Sequence, residues 1–293
     1  MLFRSGYRRW LVLEKQQRAN AWMLMTGALG MLSSTLPVQW LLPVIGWRWI
    51  FVGLALLIVL SMALMAWQVP PWRVATPANE STATPKPAGI LASYKQVWIH
   101  PYFRSLTPMG FFNYGGLIAM QTLWAGPWMI KVAGYSSLEA ATGLFWINVC
   151  MLVTFWLWGL VTPALYARGL NANKLMTYGV PLNFCVQIYI VLAGADAGAL
   201  HWTLFCISSS FVSLAQPAVG MAFPAALAGR ALSAYNLVLF MGVFVVQWGM
   251  GLMIDSFKAY GWQEPQAFQS AMAVFLACCL ASYGYFLKHK SDS

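Results

Sequence analysis

Charge is what this chain has least of. Charged side chains make up 8% of its 293 residues and only seven are acidic, against roughly 25% charged residues in soluble domains. A chain so poor in charge and 60% apolar cannot clothe itself in a water-soluble surface, which excludes an ordinary soluble domain. Its net charge of +10 sits in short gaps between apolar runs, with no basic stripe of interleaved aromatics, so nucleic acid is not an expected partner. Cysteine offers no framework either. Cys150, Cys185, Cys206, Cys278 and Cys279 lie inside apolar runs without metal-ligand spacing and read as small hydrophobes. The N-terminus does not read as a cleaved signal peptide, because the first long apolar run starts only near Ala21 and no small-x-small site follows it.

Groups that do chemistry are missing from the apolar runs. Glu14, Glu80, Glu139, Asp196, Asp255, Glu264 and Asp292 fall in loops or tails, as do His100, His201 and His289; only Glu139, His201 and Asp255 come near span ends. An ionisable group at the bilayer centre costs about 2.5 to 3.5 kcal/mol and marks function when present. No nucleophile and base, no metal cluster and no phosphate-cradling Gly-x-x-x-x-Gly-Lys motif is visible. The serine run Ser208 to Ser210 has no histidine or carboxylate at its depth. The reading is therefore not an enzyme, with no catalytic residues, no cofactor and no metal.

What is present is apolar length. Mean hydropathy is +0.64, with 16 Trp, 16 Met and 17 Phe, and a membrane-crossing helix needs about 20 apolar residues. Eight spans are expected, over approximately Ala21 to Leu42, Trp49 to Trp67, Leu106 to Ile130, Leu144 to Ala164, Leu175 to Leu192, Leu200 to Val219, Leu232 to Ile254 and Phe268 to Leu287. The runs are continuous rather than alternating, which argues against a barrel. With the N-terminus in the cytoplasm, the inner face holds Arg4, Arg8, Arg9, Lys15, Arg18, Arg73, Lys86, Lys95, Arg104, Arg168, Lys174, Arg230, Lys288 and Lys290. The outer face keeps Arg48, Lys131 and Lys258. This bias of 14 to 3 among the 17 basic residues falls on alternate loops, as a true topology requires. The fold class is an all-α polytopic membrane protein, integral to a cell or bacterial inner membrane, with both termini cytoplasmic.

One inner connection stands apart. From Gln68 to about Ala88 the chain is rich in Pro, Thr and Ala and reads as a linker that cannot bury a core. Residues 1–67 then form one unit of two spans, 68–103 a linker, and 104–293 a six-helix bundle. After the linker, Ile90, Leu91, Tyr94, Val97 and Trp98 fall on one helical face, with Lys95 and Gln96 off it. This predicts either a short amphipathic helix on the inner membrane surface or the start of the next span. An internal repeat is also visible. Arg18-Ala19 and Arg230-Ala231 each precede an apolar, Gly-bearing crossing that returns after a Gly-Trp pair, Gly46-Trp47 and Gly261-Trp262.

The residues Gln16-Gln17-Arg18-Ala19-Asn20-Ala21, the helix bearing Gly27 and Gly30, and Gly46-Trp47-Arg48-Trp49-Ile50-Phe51 resemble the fifth span and the start of the sixth in the major facilitator superfamily. The remainder is similar to that family's central loop and second six-helix half, including Ala228-Gly229-Arg230-Ala231 and Gly251-Leu252-Met253-Ile254-Asp255. The loop Leu165 to Lys174 departs from the pattern: it keeps Arg168-Gly169 but lacks the acidic residue of the family's loop motif. The resemblance implies a two-bundle transporter architecture with an incomplete first bundle, corresponding to spans five to twelve. It implies secondary transport of a small solute between rocking bundles, incomplete as written. Neither the solute nor a coupling ion is indicated; the bilayer is the one partner the composition demands.

Neutral polar and aromatic residues supply the candidate substrate-binding groups. Asn113, Gln121, Trp124 and Trp128 on the third span fall within an arc of about 80° at 100° per residue, on a helix interrupted by Gly115, Gly116, Gly126 and Pro127. Ser209, Ser213 and Gln216 share a face of the sixth. Such faces either line a cavity, where amides bond a solute and indoles stack on it, or tie neighbouring helices together. Asn236, Gln247, Asn183 and Gln187 are expected to make interhelical bonds. An eight-span membrane enzyme or assembly factor, or a non-functional truncated product, remains the alternative reading.

Overall fold

The computed structural model describes residues 27–68, except 28, and 90–290. All regular structure among them is helical. The first long helix, α1, is Leu36–Gln68, and it folds as two segments because Gly46 takes φ 73°, a left-handed conformation that costs glycine little. The helical residues just before it, 29–33, belong with Leu36 to Ile45 to the first expected span. That span's start at 21–26, the Arg18-Ala19 end of the repeat and the linker at 69–89 lie outside the described residues. A ten-residue helix, α2 (Ile90–Ile99), ends at His100, where ψ swings to 125° and Pro101 opens the next helix.

The third span, α3, runs over residues 101–131 in five pieces. Regular helix (Pro101–Met109, Gly115–Ala119, Ala125–Lys131) alternates with two π turns, Gly110–Tyr114 and Met120–Trp124. Then come α4 (Ser137–Ala167), α5 (Ala172–Ala193), α6 (Ala199–Met221, tightened to 3-10 geometry over Ser210–Leu214), α7 (Ala225–Ala259) and α8 (Glu264–His289). Among the described residues, six helices are long and apolar enough to cross a membrane. With α3, and with α1 divided at Gly46, the seven expected spans from Trp49 onward each have a helical counterpart, as does the described part of the first.

Helix starts follow from local chemistry. Ser136 caps α4 through a reciprocal box, accepting from the Glu139 amide while its own N–H donates to Glu139 Oε2 at 2.8 Å. Asn171 Oδ1 accepts from Lys174 N–H at 2.9 Å at the head of α5. α3 is the central element, packed by α4, α6, α7 and α8, while α1 touches the bundle through α4 and buries none of its residues.

Because successive helices from α3 to α8 run back and forth, the charges sort by end. Lys95, Arg104, Arg168, Lys174, Arg230, Lys288 and Lys290 gather at one end, tied there by Tyr102 Oη donating to Asn173 Oδ1 (3.0 Å) and Tyr283 Oη to the Thr177 carbonyl (2.6 Å). All four carboxylates of the described residues, Glu139, Asp196, Asp255 and Glu264, lie at the other. There Lys131 and Lys258 converge on Glu264 at 2.8 and 3.4 Å, joining the ends of α3, α7 and α8. These side chains are 48%, 45% and 35% exposed, so water screens them. Glu264→Gln is expected to cost under about 1 kcal/mol and to matter less at high salt. Thermal midpoints at two ionic strengths check this, and a large, salt-independent loss would contradict it.

The short helix α2 corrects one expectation in part. Its protein-facing edge is Ser93, Tyr94 and Val97, with Ser93 and Val97 fully buried against the bundle, whereas Leu91 is 88% and Trp98 41% exposed. The stripe drawn through Leu91, Tyr94, Val97 and Trp98 is thus split between two environments. Sequence periodicity counts apolar residues on a face without telling protein from lipid.

Candidate functional site

The seven candidate residues sit on α3 and α6, where helical regularity breaks. A π turn holds an extra residue, so two of them in α3 shift the phase that 100° per residue assumes. The four α3 candidates accordingly reach four different places. Asn113, in the first π turn, donates to Ser282 Oγ on α8 at 2.8 Å. Gln121 donates to Asn148 Oδ1 on α4 at 2.9 Å. Trp124 donates its indole N–H to the Gln247 carbonyl on α7 at 3.2 Å, and Trp128 to the Ala197 carbonyl in the α5–α6 connection at 3.1 Å. Their hydrogen bonds thus go to four different elements, although Trp124 and Trp128 both stand edge-on to Phe268, at 5.9 and 6.4 Å.

On α6 the 3-10 stretch has a similar effect. Ser209 accepts from Asn183 Nδ2 on α5 at 2.6 Å, Ser213 turns back to the Ser210 carbonyl of its own helix at 2.6 Å, and Gln216 donates to Asn236 Oδ1 on α7 at 2.6 Å. Burial divides the seven again. Asn113, Gln121, Trp128 and Ser209 are buried at 2–6% exposure, while Trp124, Ser213 and Gln216 are half-buried.

Residues assigned to helix bonding turn out to be the hubs. Asn183 joins α5 to α6 through Ser209, Ser208 (3.1 Å) and the Phe205 carbonyl (3.0 Å). Gln187 donates to Asn183 Oδ1 within α5. On α7, Asn236 receives Gln216 from α6, while Gln247 donates to Thr122 Oγ1 on α3 at 3.1 Å and offers its carbonyl to Trp124. The interhelical role expected of Asn183, Asn236 and Gln247 is what the structure shows. Thr122 and Asn148 were not singled out. Asn148 had a signal, being the single carboxamide in α4; Thr122 had none apart from lying beside Gln121.

The half-exposed members form a seam along α7. Thr122 is exposed and Gln247, Trp124, Gln216 and Asn236 are half-buried, beside the exposed rings of Phe240, Phe244 and Trp248. Asn236 and Gln247, eleven residues apart, project within about 20° of each other. Gln121 and Asn148 lie buried behind the Thr122 end. A shallow, open depression lined by Gly261, Trp262, Gln266, Gln269 and Ser270 involves none of these groups. The seam carries neutral donors, acceptors and aromatic faces, an arrangement that can bond and stack a solute without transferring a proton.

Comparison with known proteins agrees with this architecture. Among solved structures, a bacterial homologue of the human lysosomal transporter Spinster, in an inward-facing and unoccupied conformation, superposes with a TM-score of 0.61 at 16% identity, over 90% of this chain and 66% of that one. The chain thus spans just under two thirds of that transporter's length, and the likeness is one of fold. No curated protein matches the sequence. The Major Facilitator Superfamily model matches residues 8–247, most of the chain, and the protein belongs to the major facilitator superfamily.

Proposed function

We propose that this chain is a secondary-transport polypeptide that binds a small, uncharged polar or aromatic solute along the α3–α6–α7 seam, with the solute carried by alternating access between two bundles. One observation carries the reading. The Gln247 carboxamide and the Thr122 hydroxyl bond each other on an open face of the bundle rather than inside it. Polar groups facing hydrocarbon are costly, so a polar partner on that face explains their place there. Of the seven candidates, Trp124 and Gln216 meet the solute, joined by Thr122, Asn236 and Gln247, and Gln121 holds the wall behind through Asn148. Asn113, Trp128, Ser209 and Ser213 hold the helices that carry the seam. Residues 104–293 act as one bundle, and the basic end faces the cytoplasm by the bias of basic residues. Transport, not catalysis, is the activity.

The test is a thermal-shift screen of the full chain in detergent against uncharged sugars, amides and indole-type solutes. A solute that stabilises the protein is expected to bind at least tenfold more weakly to Gln247→Ala and to Thr122→Val, on the order of one lost hydrogen bond to a buried ligand. Unchanged affinity in both variants would remove the seam as the binding site.

A further inference from the structure

The helix α2 has ten residues, about 15 Å of length, half of what a hydrocarbon core of about 30 Å requires. It therefore lies at an end of the bundle, the basic one, where it packs on α7 and on the start of α3. Its corner is held firmly: Pro101 follows the bend at His100, whose ring lies 4.6 Å from that of Phe223 in the α6–α7 connection. With Ser93 and Val97 buried, the opposite edge is fixed in direction. That edge carries Leu91, 88% exposed, and the outer side of Trp98, whose ring also stands edge-on to the buried Phe103 at 5.2 Å, with Ile99 58% exposed beside them and the exposed Lys95 among them.

Large apolar side chains on a helix that does not cross the membrane are unstable in water and stable at the boundary of headgroups and acyl chains, where a basic side chain can keep its charge among the headgroups. The electrostatics select the headgroup. Seven basic residues stand at this end, Arg104 exposed one turn into α3 among them, and no carboxylate accompanies them among the described residues.

We infer that α2 is a docking site for anionic phospholipid, with Leu91, Trp98 and Ile99 entering the acyl boundary and Lys95 and Arg104 holding the phosphate. The site is separate from the solute seam and does not depend on it. Its consequence is mechanical: α2 bonds the bundle on one edge and the headgroup layer on the other, so the bundle's basic end is anchored in depth.

The full chain, purified in detergent, is titrated with phosphatidylglycerol and with phosphatidylcholine, and retained lipid is counted by native mass spectrometry. Phosphatidylglycerol is expected to be retained on the order of tenfold better, from two basic groups near one anionic headgroup. Lys95→Gln with Arg104→Gln should erase that preference. Leu91→Ser with Ile99→Ser should lower retention of both lipids, while Lys288→Gln with Lys290→Gln, at the same end, should leave the preference intact. Thermal midpoints of the Lys95/Arg104 variant should match the parent, since both side chains are exposed. Equal retention of the two lipids, an equal loss in the Lys288/Lys290 control, or displacement of phosphatidylglycerol by millimolar inorganic phosphate would each overturn the assignment.

Discussion

Replacing Gly242 by alanine is expected to destroy the folded bundle. An added Cβ would stand 2.1 Å from the Phe111 carbonyl oxygen and 2.8 Å from its carbon. From the other side, a Cβ on Gly115 would stand 2.7 Å from the Gly242 carbonyl carbon. Here α3 and α7 touch backbone to backbone, so no side chain can rotate away to make room. Small residues at such crossings let membrane helices approach and gain dispersion energy. Overpacking of a side-chain core costs about 1–3 kcal/mol, and a clash between two main chains should exceed that range.

The expected result is loss of a monodisperse peak in size-exclusion chromatography, with Gly115→Ala behaving alike. Gly249→Ala, on the same helix with nothing within 4 Å of its added Cβ, should remain folded with a parental midpoint. A Gly242→Ala protein with an unchanged midpoint would show that α3 and α7 do not cross there. The crossing also bears on the seam, because Thr122 lies seven residues beyond Gly115 and Gln247 five beyond Gly242. Their 3.1 Å hydrogen bond depends on the glycines meeting.

The second large effect is expected at Trp128. Its ring is 2% exposed, set edge-on to Trp202 at 5.7 Å and to Phe268 at 6.4 Å. Its indole N–H reaches the Ala197 carbonyl, so one side chain fastens α3 to the α5–α6 connection and to α8. Truncating a buried Trp or Phe costs about 3–5 kcal/mol in soluble cores. In lipid the packing share of that cost persists, since the void loses contacts whatever surrounds the protein.

Trp128→Ala should therefore lower the thermal midpoint strongly. Trp128→Phe should keep the ring contacts, lose the one hydrogen bond and cost about 1 kcal/mol. This pair also separates the two roles weighed for the residue. A Trp128→Ala protein with a parental midpoint but no solute binding would make the indole a ligand contact instead of a tie between helices.

How far the sequence could be read depends on the scale of the question. The apolar spans were legible because a bilayer demands continuous apolar length, and no tertiary contact is needed to see it. The division of α1 was legible at Gly46, a turn residue beside Trp47 and Arg48 near the expected outer boundary. The gathering of Lys95, Arg104, Arg168, Lys174, Arg230, Lys288 and Lys290 at one end follows from counting spans.

The partner each polar group takes was not legible in α3 or α6. The arc through Asn113, Gln121, Trp124 and Trp128 assumed a constant 100° per residue, and two π turns spend extra residues without advancing the same face. The 3-10 stretch in α6 likewise departs from the constant turn that the common face of Ser209, Ser213 and Gln216 assumes. In α7, which has no such interruption, Asn236 and Gln247 do share a side and do bond other helices, as their spacing indicated. The face of α2 escaped for another reason: Val97 and Trp98 are both apolar, but burial by the bundle belongs to the edge with the small Ser93.

By itself, then, the sequence determined the solvent, the apolar helices and the charged ends, because each is set by transfer energies that add along the chain. Only the tertiary structure decided which polar groups meet. That choice rests on the Gly115–Gly242 contact and on local departures from α-helical geometry, which arise where helices pack and leave no periodic mark in the order of residues.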